Sequence, residues 1–109
     1  MSLSRQEIPE QNNFYASFRG VSKGTVKEAL EKNGWSSRNC SWTDYELTNN
    51  WSELVLEGDD GEPLLNGAVV YVDKSIEILD EIFKTLGGYF VYEFYADNKN
   101  LLLEKRNDS

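Results

Sequence analysis

The chain has 109 residues and a formal net charge of −8, and it contains one cysteine and no histidine. This length predicts a single domain, residues 1–109, that can bury a core without disulfides or a structural metal. The lone Cys40 excludes an internal disulfide, and the absence of histidine excludes a zinc site built from Cys and His clusters. No run of residues has the length and hydrophobicity of a signal sequence or a membrane span. We therefore expect a cytoplasmic protein that binds no membrane, metal or cofactor.

The acidic residues are concentrated in the middle of the chain. Residues 44–81 contain eleven acidic side chains and one lysine, a net charge of −10, whereas residues 82–109 carry four groups of each sign. This segment would repel a polyanion, so we expect no nucleic acid partner. It would attract a basic protein, mainly by raising the association rate. The alternative is that the acidic excess only keeps a small protein soluble.

The first third of the chain predicts a strand and a helix after a loose N-terminal segment. Residues 1–13 are polar, which is typical of a flexible lead-in. Alternating apolar side chains then predict a strand over residues 14–19. Ser22 is a suitable N-cap for a helix that ends before Gly34, because glycine often terminates helices. Residues 35–41 follow as a predicted loop.

A hairpin is predicted next, with strands over residues 42–48 and 51–57. The turn between them is Asn49-Asn50, since asparagine tolerates the positive φ angles of two-residue turns. This turn places Tyr45 opposite Leu54. One face of the hairpin then carries the predicted core set Thr43, Tyr45, Leu47, Leu54 and Leu56.

The remaining chain predicts three strands and one long helix. A strand over residues 64–72 contains Gly67, and a glycine inside a strand is typical of a bulge. Apolar side chains at three- and four-residue spacing predict a helix that begins at Asp73 or Ser75 and ends before Gly87. Aromatic and β-branched residues then predict a strand over residues 89–96, and a last strand follows over residues 101–106.

The predicted order β-α-β-β-β-α-β-β indicates an α+β fold. We expect an antiparallel or mixed sheet of about five or six strands with two helices packed on one face. The order resembles a ferredoxin-like sandwich with additional strands, which is a resemblance of topology that implies no function.

The polar face of the predicted hairpin is the candidate binding surface. In the predicted register Glu46 lies opposite Glu53, and opposed like charges destabilise a sheet, so folding alone does not favour this face. The alternative is that a loop or the N-terminal segment covers one tryptophan. An exposed face also allows homodimerisation that buries Trp42, Trp51 and Val55. The predicted partner-binding residues are Trp42, Asp44, Glu46, Trp51, Glu53 and Glu57.

No arrangement of residues predicts catalysis. Asp44 and Glu46 would lie within ~7 Å of each other on one strand face, but no histidine base or activated nucleophile accompanies them. Residues 59–62 lack the ligand spacing of a calcium-binding loop. Lys23 and the amides of residues 20–25 resemble an anion-binding helix entry, although ordinary helix entry is the better interpretation.

We therefore expect a non-enzymatic binding protein that presents an acidic, tryptophan-bearing surface to a basic protein partner. Immunity proteins and other small acidic inhibitors act in this way, and the comparison rests on charge and size. The alternative is a domain that binds a small ligand in a cleft between sheet and helices, lined by the aromatic side chains of residues 89–95.

Overall fold

The computed structural model describes residues 11–96 and 99–107. This part of the chain forms seven strands and two helices. They are β1 (Gln11–Arg19), α1 (Lys23–Lys32), β2 (Ser36–Asn39), β3 (Tyr45–Asn49), β4 (Ser52–Asp59), β5 (Glu62–Val70), α2 (Asp73–Lys84), β6 (Tyr89–Tyr95) and β7 (Leu101–Arg106). Among the described residues, neither helix has the length and hydrophobicity needed to cross a membrane.

All seven strands belong to one antiparallel sheet in the order β2-β3-β4-β5-β1-β6-β7. The first strand is inserted between β5 and β6, which therefore run parallel to each other. Helix α2 connects β5 to β6, so these elements form a split β-α-β unit around β1. Helix α1 connects β1 to the edge strand β2 and packs on the half of the sheet made by β2, β3 and β4.

Both helices pack on the same face of the sheet. The Phe83 ring of α2 lies 6.3 Å from Phe14, 5.1 Å from Phe18 and 5.5 Å from Tyr92, measured between ring centroids. At the other half, Lys27 of α1 lies with its Nζ 5.2 Å from the centre of the Tyr45 ring. The strand register places these partners on one side of the pleat, and they enclose a continuous core.

The helix ends have the local chemistry that the sequence predicts. Ser22 caps α1 by accepting a hydrogen bond from the Thr25 amide at 3.1 Å. Ser75, which is fully buried, accepts from the Val72 amide at 3.2 Å at the start of α2. Gly87 has a φ of 84° just beyond the end of α2, a conformation that glycine adopts without strain.

The expected α+β class and the placement of both helices on one face are confirmed, but the strand count and the ferredoxin-like order are not matched. Strand β2 was not predicted, because it lies within the loop expected over residues 35–41. Of the described strands it pairs with β3 alone, at the sheet edge, and it consists of polar residues, so it has no apolar alternation. Strand β1 begins at Gln11, three residues before the predicted start, and the rest of the predicted lead-in lies outside the described residues.

The predicted hairpin register is wrong by two residues. Asn49 pairs with Ser52, so the turn is Asn50-Trp51, and Tyr45 faces Leu56 instead of Leu54. The Asn49 side chain accounts for the shift, because its Oδ1 accepts hydrogen bonds from the Trp51 amide at 3.0 Å and the Ser52 hydroxyl at 2.9 Å. A two-residue slip preserves the face of every side chain, so Tyr45, Leu47, Leu54 and Leu56 do share the core face. Thr43 lies before β3 and is exposed.

Gly67 does not form the predicted bulge, because β5 keeps a continuous register with β1 and with β4. Instead, the glycine allows the neighbouring strand to approach closely. Its φ is 151°, and an added Cβ would lie 2.1 Å from the Glu53 carbonyl oxygen.

We therefore expect Gly67→Ala to lower the free energy of unfolding by at least about 2 kcal/mol, measured by urea denaturation. Gly24→Ala is the control, because its new Cβ would lie 3.9 Å from Ser22 Oγ, an ordinary contact distance, and alanine favours helix. Equal stability of the two variants would contradict this packing.

Asp80 joins α2 to the sheet. Its Oδ1 accepts a hydrogen bond from the Tyr92 hydroxyl at 2.8 Å, and its Oδ2 lies 2.7 Å from Lys84 Nζ. Partial burial opposes ionisation of Asp80, but the hydrogen bonds from Lys84 and Tyr92 outweigh it and hold the pKa of this carboxyl below its usual range.

The lowered pKa of Asp80 makes the stability contribution of this contact pH-dependent. A depressed pKa stabilises the fold above the unfolded value of about 3.9, and the contribution is lost as pH falls through the folded value. We expect Tyr92→Phe to reduce the free energy of unfolding by about 1–2 kcal/mol at pH 7 and by less at pH 3. Urea denaturation of both proteins at the two pH values measures this, and a pH-independent difference would contradict the contact.

Candidate functional site

The face of the sheet opposite the helices, called the open face here, is not covered by α1 or α2. Three shallow depressions of about 360, 230 and 380 Å³ run across it from β3 toward β7. Tyr15 and Asn66 line both the first and the second, while Leu64 and Val91 line both the second and the third, so the three form one furrow. Tyr15, Leu64 and Tyr89 are about half exposed there.

Three of the predicted partner-binding glutamates lie on the open face. Glu46 faces Val55 and Glu53 faces Thr48, so the predicted opposition of Glu46 and Glu53 is wrong. The two-residue shift of the hairpin separates them. Glu46 also has a basic partner, because Arg38 Nε donates to its Oε1 at 2.8 Å.

Two neighbouring acidic residues do oppose each other where β4 turns into β5. Asp59 pairs directly with Glu62 across the hairpin, and both side chains are exposed. Within the described part of the chain, neither carboxylate forms an ion pair. Opposed like charges destabilise a hairpin, so the direct opposition of Asp59 and Glu62 does not itself favour folding.

Trp42 lies at the tip of a loop held in shape by hydrogen bonds. The Ser41 hydroxyl oxygen accepts from the Asp44 amide at 3.1 Å and from the Thr43 amide at 3.4 Å, and the Cys40 amide donates to the Asp44 carbonyl at 3.1 Å. The Trp42 side chain is nevertheless 100% exposed. A large aromatic residue in this position contributes no core packing.

Lys23 connects this loop to the acidic turn. Its side chain is largely buried, and its Nζ donates to the Thr43 carbonyl at 2.7 Å and lies 3.4 Å from Asp44 Oδ1. Its backbone amide donates to Asp60 Oδ1 at 3.1 Å, so a protein carboxylate occupies the amide considered for anion binding. A lysine at the first position of α1 interacts unfavourably with the helix dipole. Its presence there therefore indicates, from the sequence, that its ammonium group has a specific partner.

These contacts bring five side chains to one end of the sheet: Trp42, Asp44, Asp59, Asp60 and Glu62. We call this group the acidic end. Glu57, on the open face of β4, extends it along the strand and accepts a hydrogen bond from Asn66. In the sequence, Asp59, Asp60 and Glu62 counted toward the acidic segment of residues 44–81 and lacked the spacing of a calcium loop, but they were not among the predicted partner-binding residues. What identifies them as surface residues is their position at a β-turn.

Trp51 does not belong to this surface, so its predicted placement on the polar face is wrong. It is 2% exposed and packs edge-on against Trp35, with the ring centroids 5.1 Å apart. Trp35 donates from Nε1 to the Ser52 hydroxyl at 2.8 Å, which fixes this pair beneath the hairpin turn. Because Trp51 lies in the turn and not in the strand, strand alternation does not determine its direction. A dimer interface made by Trp42, Trp51 and Val55 is therefore not available.

The aromatic residues proposed to line a cleft divide between the two faces. Phe90, Tyr92 and Phe94 are at most 5% exposed and pack against one another and Phe83, filling the space between α2 and the sheet. Tyr89 and Tyr95 alternate onto the open face. The described residues contain no group of three or more His, Cys, Asp or Glu side chains that could hold a metal ion.

Comparisons of the chain with protein-family models, curated proteins and solved structures find no match.

The two tryptophans of the predicted surface are expected to differ in their effects on stability. Trp51→Ala should lower the free energy of unfolding by about 3–5 kcal/mol, because it leaves a cavity beside Trp35. Trp42→Ala should change it by less than about 0.5 kcal/mol, since the side chain is fully exposed. Urea denaturation of the two variants measures both values. Similar losses would mean that Trp42 is covered in the folded protein.

Proposed function

We propose that this protein binds a basic protein partner through the acidic end and the adjoining glutamates of the open face. The observation that carries the proposal is Trp42, fully exposed on a loop that hydrogen bonds hold in one shape, at the end of the sheet that also carries the four carboxylates of the acidic end. Tryptophan is enriched among the residues that dominate binding energy at protein interfaces. An apolar side chain of this size gains free energy when a partner removes it from water.

The rigidity of the Trp42 loop supports binding of a macromolecular partner. Lys23 Nζ donates a hydrogen bond to the Thr43 carbonyl, and the Ser41 hydroxyl accepts one from the Asp44 amide, so both residues stabilise the loop. A loop that is already ordered loses little conformational entropy when it binds. The backbone that carries Trp42 is therefore preorganised for binding.

The charges around Trp42 support a basic partner. Asp44, Asp59, Asp60 and Glu62 outnumber the cations at this end of the sheet, where Lys23 holds the loop and Arg19 and Arg106 line the depression beside Glu62. Glu53 and Glu57 continue the negative charge along β4. Such a field accelerates encounter with a positively charged protein. Small acidic inhibitors that neutralise basic toxins or nucleases, such as immunity proteins, are the class of binding protein that these properties favour.

The test begins with affinity capture from a lysate of the source cell at low salt, followed by binding kinetics on the retained protein. Trp42→Ala should raise the dissociation rate at least about tenfold, because it removes the central apolar contact. The double variant Asp59→Asn with Glu62→Gln should lower the association rate while leaving or raising thermal stability, since it relieves an opposed like-charge pair. Rising salt should reduce the same association rate, because exposed charges are screened beyond about 8 Å at physiological ionic strength.

The matched control is Glu77→Gln with Glu81→Gln, which removes the same charge from exposed positions on α2. If this control slows association as much as the Asp59 and Glu62 variant, net charge alone is responsible and the acidic end is not the site. Retention of only neutral or acidic proteins, or indifference of a captured basic protein to Trp42→Ala, would also refute the proposal.

A further inference from the structure

Two arginines meet at one depression of the open face. Arg19 of β1 and Arg106 of β7 both line the depression of about 380 Å³, and both side chains are exposed. The strand register brings them there, because Arg19 lies opposite Tyr89 on one side of β6 and Arg106 lies opposite Val91 on its other side. The register shift between β6 and β7 occurs near the other end of these strands, so it does not affect the position of Arg106.

The two guanidinium groups can contact one ligand. Their Cα atoms are roughly 12 Å apart, which is the distance given by two strand spacings of about 4.8 Å and an offset of two residues along β6. An arginine side chain is long enough to cover half of this distance, so the two groups can converge above Tyr89 and Val91. The planar donors of a guanidinium match the oxygens of a carboxylate or a phosphate.

The protein's own carboxylates leave these donors accessible to a ligand. In residues 11–96 and 99–107, Arg19 takes part in no ion pair. Arg106 Nη2 lies 3.6 Å from Glu104 Oε2, and an ion pair between exposed side chains is weak, so a ligand can compete with it. Glu62 is the acidic residue that lines the depression, where the two arginines outnumber it.

The floor of the depression offers an apolar surface beside the arginines. Ser17 pairs with Leu64 on one side and with Val91 on the other, so a small side chain lies between two larger ones. Leu64 is 45% exposed and Tyr89 is 57% exposed, so both can gain free energy when a ligand covers them. Known ligand pockets have volumes of about 300–1,000 Å³ and combine apolar walls with a few polar groups.

We propose that this depression binds a small organic anion, with its carboxylate or phosphate group between Arg19 and Arg106 and its apolar body over Leu64 and Val91. The charge distribution favours a ligand with a single anionic group. A polyanion would extend past Glu62 to the acidic end, where it would be repelled. The net charge of −8 also disfavours anions over the rest of the surface, so binding would be confined to this depression.

NMR titration of the ¹⁵N-labelled protein with benzoate and with phenyl phosphate tests the proposal. We expect the preferred anion to bind with a Kd of about 1 mM or lower and to shift the amide signals of Ser17, Arg19 and Val91. The tighter of the two anions identifies the anionic group. Benzamide has the same ring without the charge and should bind at least about tenfold more weakly, as should inorganic phosphate, which has no apolar body.

Variants assign the binding to the two arginines. Arg19→Gln and Arg106→Gln should each weaken binding of the preferred anion at least about fivefold, because each removes a charged hydrogen-bond donor. Arg19→Lys should give an intermediate affinity, since lysine keeps the charge but lacks the planar donors. The matched control is Arg38→Gln, which removes an exposed arginine from the same face at the opposite edge of the sheet and should leave the affinity within about twofold.

Thermal melts establish that the variants are folded, which we expect because the replaced side chains are exposed. The proposal is overturned if neither benzoate nor phenyl phosphate shifts these amides. Equal binding of benzamide or of inorganic phosphate would also overturn it, and so would a loss of affinity in Arg38→Gln as large as that in Arg19→Gln.

Discussion

Burial of one face of the sheet beneath α1 and α2 is the constraint on which the rest of the structure depends. Phe83 is central to this contact, because its ring packs against side chains from β1 and β6. The strand alternation then directs every second side chain to the other face, where neither helix covers it. An antiparallel sheet that is covered on one side therefore has both a core face and an open face, and polar residues can occupy the open face because it is in contact with water.

The tie made by Lys23 connects the core to the proposed site. A largely buried ammonium group needs hydrogen-bond acceptors, and it finds them in the Thr43 carbonyl and the Asp44 carboxylate. This requirement fixes the loop that carries Trp42 and, through the Lys23 amide, the turn that carries Asp60. Lys23 thus ties both the Trp42 loop and the Asp60 turn to the start of α1, while the β4–β5 hairpin places Asp59 and Glu62.

The elements that could be predicted are those whose own residues carry the signal. The apolar stripe of α2, the alternation of β6 and the Ser22 cap are local patterns, and each is present in the structure. Strand β2 could not be predicted, because it is a polar edge strand that exists only through its pairing with β3. The hairpin register failed for a related reason, since the Asn49 side chain and the fit of Trp51 beside Trp35 select the turn.

The sequence by itself determined the α+β class, the acidic charge of residues 44–81 and the faces of the hairpin strands, because composition and two-residue periodicity are properties of the chain alone. Only the tertiary structure decided that Trp42 is exposed while Trp51 is buried, that Glu46 meets Arg38, and that Asp59 meets Glu62. These outcomes depend on strand register and on contacts between residues distant in sequence, such as Lys23 with Thr43. The pattern of side-chain types along the chain does not predict which distant residue will satisfy a buried charge or fill a given space.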